Sequence, residues 1–182
     1  MNIGFDFDKV FIDYPPFFPA KVINKLYKQK DNGILLYRIP TYPEQLFRKA
    51  THLPFFRPAI KENLAVLKSI SKKKNQLYLI SSRYNFLRNE TNRLIQKHEL
   101  DKIFDHMYFN YDNEQPHLFK EKILKTLHLD LYIDDDLSLL RHVAKSNPKT
   151  KFFWLNHTTE SKPLAKNITE IKKLTEIFSK QS

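Results

Sequence analysis

Ile3-Gly4-Phe5-Asp6-Phe7-Asp8-Lys9-Val10 is the stretch from which the fold is read. Residues 2–7 predict a short buried strand that ends in Asp6-Phe7-Asp8. Two carboxylates then flank one residue just past an apolar run. Such a pair suits a nucleophile and a general acid/base sharing a metal, and it also suits a polar strand end with turn-forming aspartates. The pair alone does not separate these readings. The same design recurs along the chain. Gln76–Ile80 predicts a strand that ends in Ser81-Ser82-Arg83, and Leu131-Tyr132-Ile133 breaks into Asp134-Asp135-Asp136. Residues 104–109 and Lys151–Leu155 predict two more strands.

Helical spacing fills the intervals. Pro58 suits the first turn of a helix, with Ile60, Leu64, Leu67 and Ile70 as its apolar face. Further helices are expected over 85–97, from Phe119 to Leu127, over 137–145 and over 167–179. Val22, Ile23, Leu26 and Tyr27 suggest another, and Glu44–Lys49 a short one after Pro43. Strands alternating with helices at this spacing predict an α/β fold, a parallel sheet with helices on both faces. Open parallel sheets bind ligands at the carboxyl ends of their strands, where these polar residues cluster.

Each polar cluster has a plain structural alternative. Three consecutive aspartates repel one another unless a cation sits among them, but the start of a helix also tolerates aspartate. Ser81 could donate to a phosphoryl oxygen, or either serine could cap the next helix. Lys120 opens an amphipathic helix, where most lysines simply face water.

Composition excludes several chemistries. The 182 residues include no cysteine, so disulfides, thiol nucleophiles and thiolate metal sites are absent. Gly4 and Gly33 are the only glycines, which excludes a glycine-rich phosphate loop. The seven histidines include no H-x-x-x-H pair, so a zinc hydrolase finds no support. No apolar run approaches the roughly 20 residues of a membrane helix. The first residues show no signal-peptide pattern, and a cytoplasmic protein without membrane attachment is expected. The net charge of +11 comes from dispersed lysines and reads as a solvated surface that also attracts phosphorylated ligands. Nucleic acid is the less favoured partner, since no nucleic-acid-binding motif is present.

The order of the clusters carries more than any one of them. D-x-D after the first strand, Ser81 after a later one, Lys120 near a helix start and Asp134-Asp135 after another strand resemble the haloacid dehalogenase-like hydrolase superfamily. The residues Phe55–Ile70 are similar to the helix that leads into its second motif. One position departs from the pattern: the family's glycine after the second aspartate is Lys9 here.

The resemblance implies a Rossmann-like three-layer sandwich with a small, mainly helical cap. The core would comprise 1–13 and 57–182, and the cap 14–56. It implies a magnesium-dependent phosphomonoesterase with Asp6 as nucleophile, Asp8 as acid/base and Lys120 as the third catalytic residue. Mg2+ would be held by Asp6, Asp8 (through its backbone carbonyl), Asp134 and Asp135, and substrate by Ser81, Ser82, Arg83 and Lys9. The short aromatic cap resembles the 5'-nucleotidase (deoxyribonucleotidase) branch, which points to a small phosphorylated substrate such as a nucleoside monophosphate. The alternatives are a polynucleotide or phosphoprotein phosphatase and a non-catalytic binding module of the same fold.

Overall fold

Strand β1, Asn2–Phe5, lies in the middle of a six-stranded sheet in a computed structural model that describes residues 1–15, 28–31, 34–71, 73–160 and 162–178. The other strands are β4 (Gln76–Ser81), β5 (His106–Phe109), β6 (Leu131–Asp134), β7 (Lys151–Leu155) and β8 (Ile168–Ile171). Their spatial order is β5-β4-β1-β6-β7-β8, and every pairing is parallel. Ile3 pairs with Leu77 on one side and Leu131 on the other.

Side chains alternate across this sheet and divide the core in two. Ile3, Phe5, Leu77, Leu79, Leu131 and Ile133 point to one face. There they meet helices α2 (Lys61–Ser71) and α3 (Arg88–Lys97) and the short α6 (Thr175–Phe178). Tyr78, Ile80, Tyr132, Phe152 and Trp154 point to the other face, against α4 (Pro116–Leu127) and α5 (Leu137–Ser146). Burial on both faces explains why these strands read as continuous apolar runs. The expected α/β sandwich is therefore the observed one.

Gly4 is needed for packing. It faces the second core, where a β-carbon would press into Leu129 and stand 2.8 Å from the Tyr132 ring.

Three expectations need correction. Residues 167–179 do not form one helix: Ile168–Ile171 adds β8 to the open edge of β7, and only Thr175–Phe178 is helical. Ile168, Ile171 and Leu174 fit helical spacing, but the β-branched run and the unpaired β7 edge favour a strand. Pro58 does not open a helix either. Ala59 bridges Ile12 in extended backbone, and α2 begins at Lys61. Asn85–Leu87 forms a 3-10 turn before α3.

The segment over 14–56 holds both strand and helix among its described residues. Its described residues form an antiparallel pair, β2 (Lys28–Asp31) and β3 (Ile34–Tyr37), followed by helix α1 (Tyr42–Thr51). Thr41 and Glu44 close α1 with a capping box, which explains the helix anticipated at 44–49. The helix expected around Val22–Tyr27 and the rings of Phe17 and Phe18 lie outside the described residues. Among the described residues, no helix is long and apolar enough to cross a membrane.

The overpacking at Gly4 gives a direct check. Gly4→Ala is expected to destabilise the protein by about 1–3 kcal/mol, read as a lower midpoint in urea unfolding. An unchanged midpoint would mean that Leu129 and Tyr132 do not hold the positions described.

Candidate active site

The carboxyl ends of β1, β4 and β6 converge on a cavity of about 560 Å³. Asp6, Asp8, Lys9, Ser81, Ser82, Arg83, Lys120, Asp134 and Asp135 all line it. Nine residues singled out from separate parts of the sequence thus share one space.

Part of this lining is a knot of buried charge. Lys120, on α4 and 2% exposed, donates from Nζ to Asp6 Oδ1 at 2.6 Å and to Asp134 Oδ2 at 2.7 Å. The Tyr132 hydroxyl donates to the same Asp134 oxygen at 3.1 Å. Asp134 Oδ1 accepts from the backbone N–H of Asp136 at 2.9 Å, and the Trp154 indole N–H holds the Asp135 carbonyl at 3.0 Å. The Asp135 carboxylate accepts no hydrogen bond from the described residues.

The electrostatics follow from crowding. Burial pushes the Asp6 carboxyl up to about 7; Lys120 opposes the rise, while Asp134 and Asp8 add to it. Burial, then Asp134, Asp6 and Asp136, drives Asp135 well above the ordinary carboxylate range. Burial works against the charge on Lys120, but Asp134 and Asp6 more than compensate and raise it well above its usual value. One ammonium among three carboxylates leaves an excess of negative charge.

This donor set fits a hard divalent cation. Asp6, Asp134 and Asp135 offer oxygen ligands that lie within 4.8 Å of one another, and oxygen donors suit Mg2+. The carboxylate without a hydrogen-bond partner, Asp135, belongs to that set. Asp136 serves differently. It caps α5, accepting from Ser138 N at 3.0 Å and Leu139 N at 3.3 Å, so the helix-start alternative holds for the third aspartate only.

Asp8 lies in an opposite environment. Arg83 grips it as a fork, Nε to Oδ2 and Nη2 to Oδ1, each at 2.8 Å. Arg57 Nη2 also donates to Oδ1. Burial alone would raise the Asp8 pKa, but Arg83 and Arg57 outweigh it and hold the carboxyl well below the usual range. Arg83 also donates to Thr91 Oγ1 at 3.2 Å and lies over the Phe7 ring. The guanidinium expected to hold substrate is therefore engaged with Asp8.

Lys9 adopts a left-handed backbone, φ 61°, where L side chains are strained. Its N–H bonds Ile12 O at 2.7 Å, closing a tight turn, and its carbonyl meets His157 Nε2 at 2.8 Å. The glycine of the related motif would adopt this conformation without strain. The Lys9 ammonium pairs with Asp13 at 2.5 Å instead of standing free.

Ser81 ends β4, is 1% exposed, and accepts weakly from Arg83 N at 3.4 Å. The Ser82 hydroxyl is buried without a hydrogen-bond partner among the described residues. Neither serine caps the helix that follows: Tyr84 precedes the 3-10 turn, and no side chain caps it.

Two side chains have partners that the sequence does not reveal. Tyr37, at the end of β3, donates its hydroxyl to Asp136 Oδ2 at 2.6 Å and exchanges two 3.0 Å hydrogen bonds with the Gln115 side chain. It fastens the insertion to residues at the starts of both α4 and α5. Arg57 shows no motif, since its partner lies 49 residues away.

Lys9 can be tested apart from any activity. Both Lys9→Ala and Lys9→Gly lose the Asp13 pair, so their difference isolates the backbone. The glycine variant is expected to be more stable by about 1 kcal/mol in urea unfolding; equal midpoints would contradict the left-handed turn.

No protein-family model matches the chain, and a comparison with curated protein sequences gives no match. Solved structures share the fold at low identity. A candidate beta-phosphoglucomutase from Thermotoga maritima has a TM-score of 0.65 and 17% identity, covering 100% of this chain and 99% of its own. A D,D-heptose 1,7-bisphosphate phosphatase from B. bronchiseptica, complexed with magnesium and phosphate, gives 0.59 and 11%, again covering 100% and 99%. A Had-superfamily hydrolase from Ehrlichia chaffeensis gives 0.56 and 14%, covering 97% and 93%. The chain also spans 43% of the length of a chain from the Pnkp1/Rnl/Hen1 RNA repair complex, with 87% of this chain covered, a TM-score of 0.52 and 14% identity.

Proposed function

We propose that this protein is a magnesium-dependent phosphohydrolase that cleaves phosphomonoesters through an aspartyl-phosphate on Asp6. One observation carries the reading. Asp6 lines the cavity from the end of the central strand, hydrogen-bonded to a buried lysine that also binds Asp134, with Asp135 and Ser81 lining the same cavity. A surface acidic cluster has no need of such a lysine, whereas a phosphoryl-transfer site does. The fold it shares with the magnesium- and phosphate-bound heptose bisphosphate phosphatase supports the reading.

In this scheme Asp6 Oδ attacks phosphorus and the ester P–O bond breaks. The leaving oxygen takes a proton. Asp8 is held ionised by its two arginines and has no proton of its own at rest. A monoanionic phosphate ester, whose second pKa is about 6, can bring that proton with it. Water then attacks the acyl phosphate, Asp8 accepts its proton, and phosphate leaves with Asp6 restored. Lys120 and Ser81 hold the phosphoryl oxygens. Mg2+, bound by Asp6, Asp134, Asp135 and the Asp8 carbonyl, would supply the positive charge that offsets the phosphate.

The insertion over 14–56 would act as a cap that selects substrate, with Tyr37 on the cavity wall. A nucleoside monophosphate is the first candidate, because aromatic side chains in that segment could stack on a base. The charge of +11 and the likeness to a chain of an RNA repair complex favour a second candidate, a phosphorylated polynucleotide end.

The test is hydrolysis of an aryl phosphate, nucleoside monophosphates, sugar phosphates and a 3'-phosphorylated oligonucleotide, with and without EDTA. Activity that chelation removes and Mg2+ restores is expected. Asp6→Asn should lower kcat by at least about 1,000-fold. Absence of activity across the whole panel would overturn the proposal.

A further inference from the structure

Two guanidiniums bind Asp8, but only Arg83 is among the residues that line the cavity. Arg57 is 0% exposed, and its Nη2 donates to Asp8 while Nε and Nη1 have no hydrogen-bond partner among the described residues. A residue kept only to anchor the fold would be expected to use its buried donors, because each unpaired one is costly. Arg57 leaves two nitrogens unmatched and directs the third to one carboxylate.

Its place in the chain gives that contact a second meaning. Arg57 stands where the insertion returns to the core. Asp13 N donates to Pro58 O at 2.8 Å, Ile60 N donates to Phe11 O at 2.8 Å, and Ile12 bridges Ala59. The guanidinium lies 5.0 Å from the centre of the Tyr14 ring, on the outgoing segment. The segments entering and leaving the insertion therefore meet around Arg57, whose side chain reaches Asp8.

Resting on the phosphohydrolase reading, we infer that Arg57 is a positioning residue. It acts through Asp8, fixing that carboxylate together with Arg83 and tying its placement to the root of the insertion. Arg57 does not touch substrate. A misplaced acid/base group costs turnover more than binding, since proton transfer demands close alignment.

The test is a double-mutant cycle on an aryl phosphate with Mg2+, using the full chain. Arg57→Lys keeps the buried charge but loses the planar donor geometry. In the wild-type background it is expected to lower kcat by about 10- to 100-fold, with KM within about twofold. In an Asp8→Asn background the same substitution should change kcat by less than about twofold, because the group it acts through is already gone. Arg83→Lys should behave the same way, which keeps the test open if Arg57→Lys proves unstable in thermal unfolding. Equal losses in both backgrounds would reveal a merely structural role and overturn the inference. So would an unchanged kcat in the wild-type background, or a change confined to KM. A wild-type protein without magnesium-dependent hydrolysis would overturn the phosphohydrolase reading and this role with it.

Discussion

The buried ammonium of Lys120, shared between Asp6 and Asp134, is the interaction on which the site depends. It ties α4 to two adjacent strands, β1 and β6. Burying three charged groups is expensive, and well-packed apolar side chains often serve stability as well or better. The arrangement therefore makes more sense as a device for holding charge at a defined place than as a brace. The surrounding packing serves it: Tyr132 supplies a hydrogen bond, Trp154 fixes the next residue's carbonyl, and the Asp136 cap sets where α5 begins.

Asp6 and Asp8, separated by one residue, experience opposite fields. Asp6 shares one lysine with other carboxylates, so burial and like charge raise its pKa. Asp8 meets two arginines that keep it charged. The strand end separates them, since Phe7 points into the core and turns the chain. Environments that push two carboxylates apart are how a single fold assigns them different tasks. The left-handed Lys9 turn follows directly and carries the chain away toward the insertion.

The parallel sheet was legible because its strands are apolar runs that end in polar residues. Asp6, Asp8, Ser81, Lys120 and Asp134-Asp135 could be picked out because each follows such a run or opens a helix, and the structure gathers them into one cavity. β8 reads as helix because Ile168, Ile171 and Leu174 satisfy a helical period, and only the open edge of β7 decides between the forms. The β2–β3 ribbon lacks a strong local pattern. The pairing of Asp8 with Arg57 and Arg83 was beyond reach for another reason: contacts spanning 49 and 75 residues leave no trace in spacing. Arg83 stands out by its position after Ser81, but that position does not reveal its partner, Asp8.

The central position of β1 also bears on how the chain comes together. Ile3 must find Leu77 on one side and Leu131 on the other, so both edges of the first strand stay unpaired until much later segments have been synthesised. Loop closure of that range is slow, and pairings of this kind raise contact order. A strand as apolar as Ile3-Gly4-Phe5 waits meanwhile with open edges, a state prone to association. The Asp6 and Asp8 carboxylates just beyond it give that waiting segment charge, so the residues that equip the finished pocket also help keep the nascent strand from sticking to its neighbours.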